Sequence, residues 1–341
     1  MVNLVQASRE LFTRRPDERF SSVQALWAHC QARKERSSDH WFRPQQLEAD
    51  SIANRLRLKL GDDGPFELND WSFSQVCRLA GVSKDTINRL TPDTAARALR
   101  ETLPQTDRPL QTVVLDETMR SVHGVTYTRL WDADLLMMVR EFATDFQPPP
   151  LGFNGATGLY AGEQDMFVFL IDPTGWAEID GEAFAPGFFL WNSEVGRRTV
   201  GISTFWFQAV CQNHIVWDAT EVTEFTRKHT ARVHESFSEV RRIIEGLAEK
   251  RDERRDGFIE TIAKAMKTEL GSDTDEIKKV LVRAGIGQAL GKRAIEVAQN
   301  DGRFTIFSLV TALTRLTQEL PNAGDRSEAD SKVGQLLALA A

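Results

Sequence analysis

FAPGFFLWNSEVGRRTVGISTFWFQAVC, residues 184–211, is the stretch that decides the fold. Two aromatic-rich apolar runs flank a polar NSEVGRR segment. Asn192 and Ser193 can satisfy backbone donors locally there, and Gly196 permits a positive φ. That pattern predicts two strands joined across Asn192 to Gly196. Upstream, MFVFLIDPTGWAEI (166–179) reads as a buried strand, a Pro/Gly turn and a partner strand. LQTVVLDETMRSVHGVTYTRL (110–130) has a period near two and reads as a strand, a polar connection around Ser121 to Gly124 and a returning strand. A helix over Ala133 to Phe142 follows, with Leu135, Leu136, Met138 and Val139 on its apolar side. An antiparallel sheet core over 109–219 is expected, in an α+β fold.

Helical regions are expected on both sides of that core. Residues 1–108 read as helical, with apolar stripes over Asn3 to Thr13 and Ser22 to Arg36 and a loop over Lys34 to His40. Residues 72–91 have helix-turn-helix spacing, with Cys77, Gly81, Ser83, Ile87 and Leu90 at the packing, turn and cap positions. Lys84, Asp85, Asn88 and Arg89 would then face a major groove, although Asp85 would repel phosphate and a purely structural pair fits better. Residues 220–341 read as helical. Glu221 to Leu270 is expected to be mostly charged helix whose stripe (Phe237, Val240, Ile243, Ile244, Leu247) would serve homo-oligomer formation.

Charge bounds the function. The 341 residues carry 42 Lys+Arg against 49 Asp+Glu, a net −7, so nucleic acid or an anionic membrane would be met only through a local basic patch. Three separated cysteines argue against a disulfide framework and for a reducing, cytoplasmic compartment. No apolar run approaches the roughly 20 residues needed to span a bilayer, and the charged amino end does not read as a secretory signal.

The nucleic-acid candidates are Arg197 and Arg198 in the sheet turn with Lys228, His229 and Arg232 near the start of the long helix. Trp191, Trp206 or Trp217 could stack on bases at roughly 1–3 kcal/mol each. The competing reading makes the arginines solvated and the tryptophans core. Cys211, His214, His229 and His234 approach zinc-ligand spacing, but His229 and His234 would point about 140° apart on a helix, so no metal and no cofactor is expected. Asp116/Glu117 and Asp132/Asp134 do not have nuclease placement. Glu194 is the polar side chain best placed for direct chemistry.

Six segments occur in order: RRPDERFSSVQAL (14–26), NSEVG (192–196), VCQN (210–213), KHT (228–230), FSLVTALTRLTQEL (307–320) and GQLL (334–337). In these the chain resembles an uncharacterised domain-of-unknown-function family of phage- and plasmid-like proteins, over nearly its whole length. The motif positions are Asn192, Ser193, Glu194, Gly196, Cys211, Asn213 and Thr230, with Lys228 where Arg is usual and His214 where a smaller residue is common. The resemblance implies mobile-element biology. The expectation is a non-enzymatic nucleic-acid-binding accessory protein acting on single-stranded DNA, by binding or annealing. The alternatives are a metal-dependent enzyme at Cys211/His214/His229 and a helix-turn-helix regulator.

Overall fold

The uninterrupted apolar runs of the middle segment arise because their strands are covered on both faces, so neither side needs polar residues. The computed structural model describes residues 18–150, 157–208, 213–215, 225–300 and 304–340. From the amino end come β1 (Glu18–Arg19), α1 (Val23–Glu35), β2 (Ser37–Phe42), β3 (Leu47–Ile52), β4 (Arg55–Leu60) and β5 (Asp63–Leu68). Next are α2 (Asp70–Leu79), α3 (Lys84–Asn88), α4 (Pro92–Thr102), β6 (Leu110–Leu115), β7 (Thr118–Gly124) and α5 (Asp132–Phe142). They are followed by β8 (Leu159–Ala161), β9 (Met166–Ile171), β10 (Ala177–Ile179), β11 (Glu182–Asn192), β12 (Val200–Gln208), β13 (Asn213–Ile215) and β14 (Phe225–Arg227). The carboxyl end holds α6 (Ser236–Glu249), α7 (Arg251–Ala265), α8 (Thr274–Arg283), α9 (Gln288–Asn300), α10 (Ile306–Thr317) and α11 (Ala323–Gly334).

Two sheets result, and the fold is α+β. The larger has the order β1-β8-β9-β11-β12-β13, with β10 on β11 and β14 on β12. The expected β11–β12 pair is antiparallel, in register from Phe184↔Gln208 to Trp191↔Gly201. Alternation along β11 divides its side chains between two cores. Phe188 and Leu190 pack with α1, α5 and α6. Phe189 and Trp191 face the opposite side, with Phe167, Phe205 and Ala323 of α11. The smaller sheet has the order β2-β6-β7-β5-β4-β3, covered by α2 and α4 through Val76, Ala96 and Leu99.

Several expectations need correction. Residues 37–68 are strands, not helix or loop. LEADSI and RLRLKL carry polar residues on an outer face and only small or aliphatic ones inside, and SSDHWF buries only Phe42 in full, which hides their period. Residues 221–270 are not one helix either: β14 precedes α6, and the chain breaks at Lys250 before α7. The stripe of Val240, Ile243, Ile244 and Leu247 is buried within the chain's own core, with Phe237 packed against it, so it is not an exposed oligomer face. The stretch Asn3 to Thr13 lies outside the described residues. Among those described, no helix is long and apolar enough to cross a membrane.

Candidate functional site

The Asn192–Gly196 connection leads inward. It leaves β11, enters the junction of the two sheets and returns through β12, and Glu194 is only 1% exposed. Asn192 Nδ2 donates to the Leu130 carbonyl at 2.8 Å and to Asp132 Oδ1 at 2.7 Å. Ser193 Oγ donates to the Gln164 carbonyl and accepts the Arg197 amide at 2.8 Å. The Glu194 carbonyl accepts from Arg129 Nη1 and, at 2.7 Å, from the Tyr127 hydroxyl. Trp71 Nε1 donates to the Val195 carbonyl at 2.8 Å. Gly196 takes a φ of 68°, and a Cβ there would lie 2.8 Å from both His123 Cε1 and Tyr127 Cε2.

Two buried arginines neutralise this turn. Glu194 Oε2 accepts from Arg120 Nη1 at 2.8 Å and lies 3.3 Å from Arg33 Nη2, while Oε1 accepts the Asp132 amide at 3.2 Å. Arg33 Nη2 also donates to Asp132 Oδ2 at 2.7 Å. Burial raises the Asp132 carboxyl well above its ordinary value, and the neighbouring Glu194 charge adds to this. Burial would raise Glu194 as well, but Arg33 and Arg120 together outweigh it and hold that carboxyl below the ordinary range. Two guanidinium groups thus face two carboxyls, of which Glu194 is the better stabilised anion and Asp132 the more readily protonated. A cleft of about 270 Å³ reaches Arg33 and Arg120 past Glu18, His29 and Glu163. It stops at the guanidinium groups, so the two carboxylates serve to hold arginines and backbone in place. They are poorly placed to exchange protons with a substrate.

On the outer side of the junction the smaller sheet presents an aromatic row. Trp41 pairs with Gln111, and Gln111 with His123, so all three side chains share one face. Trp41 is 59% exposed. His123 stacks on Tyr127 at 3.7 Å between centroids, and His229 lies 5.5 Å beyond Tyr127. The Arg129 guanidinium sits over the Tyr127 and Trp131 rings, and Arg197 sits over Trp71 at 5.5 Å. Burial pushes His123 down to about 3 and His229 down to about 4, so both rings are neutral at pH 7.

Of the expected phosphate-binding cations, Arg197 and Lys228 are exposed and have no carboxylate at ion-pair distance among the described residues. The others are corrected. Arg198 is tied to Asp165, Asp325 and Glu328, and Arg232 to Glu235. His229 is 7% exposed and uncharged. Trp191, 9% exposed, stacks on Phe189 and packs over Gly201; Trp206 is buried on Phe258, so neither ring is presented to a base. Trp217 and Cys211 lie outside the described residues. Asn213 and His214 pair with Gln208 and Phe207 through β13. Thr230 is exposed, and its amide donates to the Lys228 carbonyl at 2.9 Å. Among the described residues no three His, Cys, Asp or Glu side chains are grouped to hold a metal.

The helix-turn-helix spacing produces a real helix pair turning at Gly81, with Ser83 accepting the Thr86 amide. Its second helix has only five residues, and Lys84 is drawn onto Asp70, while Arg89 stays exposed with Nε donating to the Asp85 carbonyl. Arg33, Arg120 and Arg129 are the residues that sequence reasoning missed. For Arg33 a signal existed: it follows Leu26 and Cys30 on one helical stripe, and a charge at a core position requires a buried partner. No family model, curated protein or solved structure matches this chain.

Proposed function

We propose that the protein binds single-stranded nucleic acid across the aromatic row, as a non-enzymatic accessory protein of a mobile element. The observation that carries this reading is that exposed Trp41 shares a sheet face with His123 of the His123–Tyr127 stack, while Arg197 and Lys228, in connections that meet this stack, are exposed. Base stacking tolerates any sequence, and the two cations neutralise a backbone running alongside. The buried ion cluster supports the face from beneath. It fixes the Asn192–Gly196 turn, and that turn sets both Arg197 and the His123–Tyr127 stack.

Fluorescence anisotropy with labelled single-stranded DNA, duplex DNA and RNA tests it. Trp41→Ala should weaken single-strand binding by about 1–3 kcal/mol while leaving stability unchanged, because the ring is largely solvated. Arg197→Glu with Lys228→Glu should abolish it. Neutralising both cations as Arg197→Gln with Lys228→Gln should reduce the slope of log affinity against log salt by about 1.4. Equal binding by these variants and the wild type would remove the proposal.

A further inference from the structure

A second surface, remote in sequence from the aromatic row, lies on the carboxyl-terminal helices. Helix α8 ends in a Schellman turn: the Ile286 amide donates to the Leu281 carbonyl at 2.9 Å and the Gly285 amide to the Val282 carbonyl at 3.0 Å, with Gly285 at φ 77°. The turn sends α9 back beside α8 and leaves a groove of about 600 Å³ between them. Its floor is apolar, formed by Leu281, Val282 and Ile286, and Val282 is 49% exposed. Its rim is cationic, carrying Lys279, Arg283 and Lys292. Lys278 on the same rim pairs with Asp275 at 2.9 Å, whereas those three have no carboxylate within ion-pair distance among the described residues.

We infer that this groove receives an acidic amphipathic helix of a partner protein. Charge complementarity selects the occupant: a local run of cations, with only Lys279 acted on by nearby Asp275 and Glu276, on a chain of net charge −7 favours an anionic ligand. The apolar floor then separates helix from nucleic acid. A phosphate backbone would neutralise the rim and leave Val282 wet, whereas leucines one helical turn apart fill the floor while flanking glutamates meet the rim. Buried Gly291 lets α9 pack closely on Leu281 and Ile286 of the floor, and exposed Gly287, just before α9, leaves open space at the groove's end.

The test uses the full chain and a fluorescein-labelled designed peptide with leucines at i, i+3, i+4 and i+7 and glutamates on both flanks. Two controls have the same composition with the leucines scrambled, or with lysine in place of every glutamate. The leucine-striped acidic peptide should bind with one-to-one stoichiometry, and both controls should bind at least about tenfold more weakly. Lys279→Glu with Arg283→Glu should weaken it by about the same factor, and Val282→Asp should do so without touching the cationic rim. These solvent-facing changes should leave the circular dichroism unaltered. Equal binding of the scrambled peptide, or no binding of any peptide, overturns the inference. Competition by single-stranded DNA for the groove also overturns it and gives the surface to nucleic acid. Because the Trp41 variant leaves the groove intact, loss of one activity is distinguishable from loss of the other.

Discussion

Replacing Glu194 by Gln keeps the size of the side chain and removes the charge that Arg120 and Arg33 share. Arg120, 4% exposed at the end of the cleft, then loses its anionic partner at 2.8 Å. Arg33 fares better because Asp132 remains 2.7 Å away, and removing the neighbouring Glu194 charge eases ionisation of that carboxyl. Breaking a buried pair costs about 3–5 kcal/mol, and this internal relief places the loss near the lower end, about 3 kcal/mol. For a chain of this length that is a fall in Tm of about 4 °C. Urea denaturation followed by circular dichroism, with calorimetry, measures both. The double variant Glu194→Gln with Arg120→Met should lose at least about 2 kcal/mol less than the sum of the single losses, since it removes the stranded charge. A change within about 0.5 kcal/mol for Glu194→Gln, or simple additivity in the double variant, would refute a desolvated cluster.

Gly196→Ala should lower stability by about 2 kcal/mol, from a left-handed backbone and a methyl forced against His123 and Tyr127, and should also weaken single-strand binding; parallel denaturation and anisotropy series check this. Asp330, which accepts the Thr317 hydroxyl, is pushed up to about 7 by burial. The folded chain keeps a proton that the unfolded chain releases, so this contribution is complete below about pH 4 and is lost as pH rises through about 7. Asp330→Asn should flatten that slope and be the more stable form at pH 8, by at most about 4 kcal/mol; urea midpoints across pH 4–8 decide it. Hydrogen exchange should show β7 and the carboxyl end of β11 opening together, because Arg120 of β7 pairs with Glu194 two residues past β11; independent opening would contradict a shared cluster.

The larger sheet was legible because burial on both faces leaves a strong apolar signal, as in MFVFLI and GFFLW. The N-terminal strands were not. Glu48, Asp50, Arg55 and Arg57 decorate an outer face, and the inner residues Ala49, Leu58 and Leu60 suit helices equally well. For the site, the NSEVG segment stood out, but its position did not: polar residues between two strands read as a solvated turn until the arginines facing them are known. Those come from α1 and β7, which no local pattern connects to residue 194. Trp191 misled for the opposite reason, since a ring beside a polar turn reads the same whether it faces solvent or packs over Gly201.

The partners Arg120 and Glu194 are separated by 74 positions along the chain. A ribosome that has released α1, the smaller sheet and α5 has delivered Asp132 for Arg33, but not yet the anion that lets Arg120 leave water. Until the segment after β11 emerges, the nascent amino-terminal half must hold the Arg120 guanidinium at its surface. Its final closure therefore waits on translation past the NSEVG codons, and a message truncated before them should yield a protease-sensitive, chaperone-bound product.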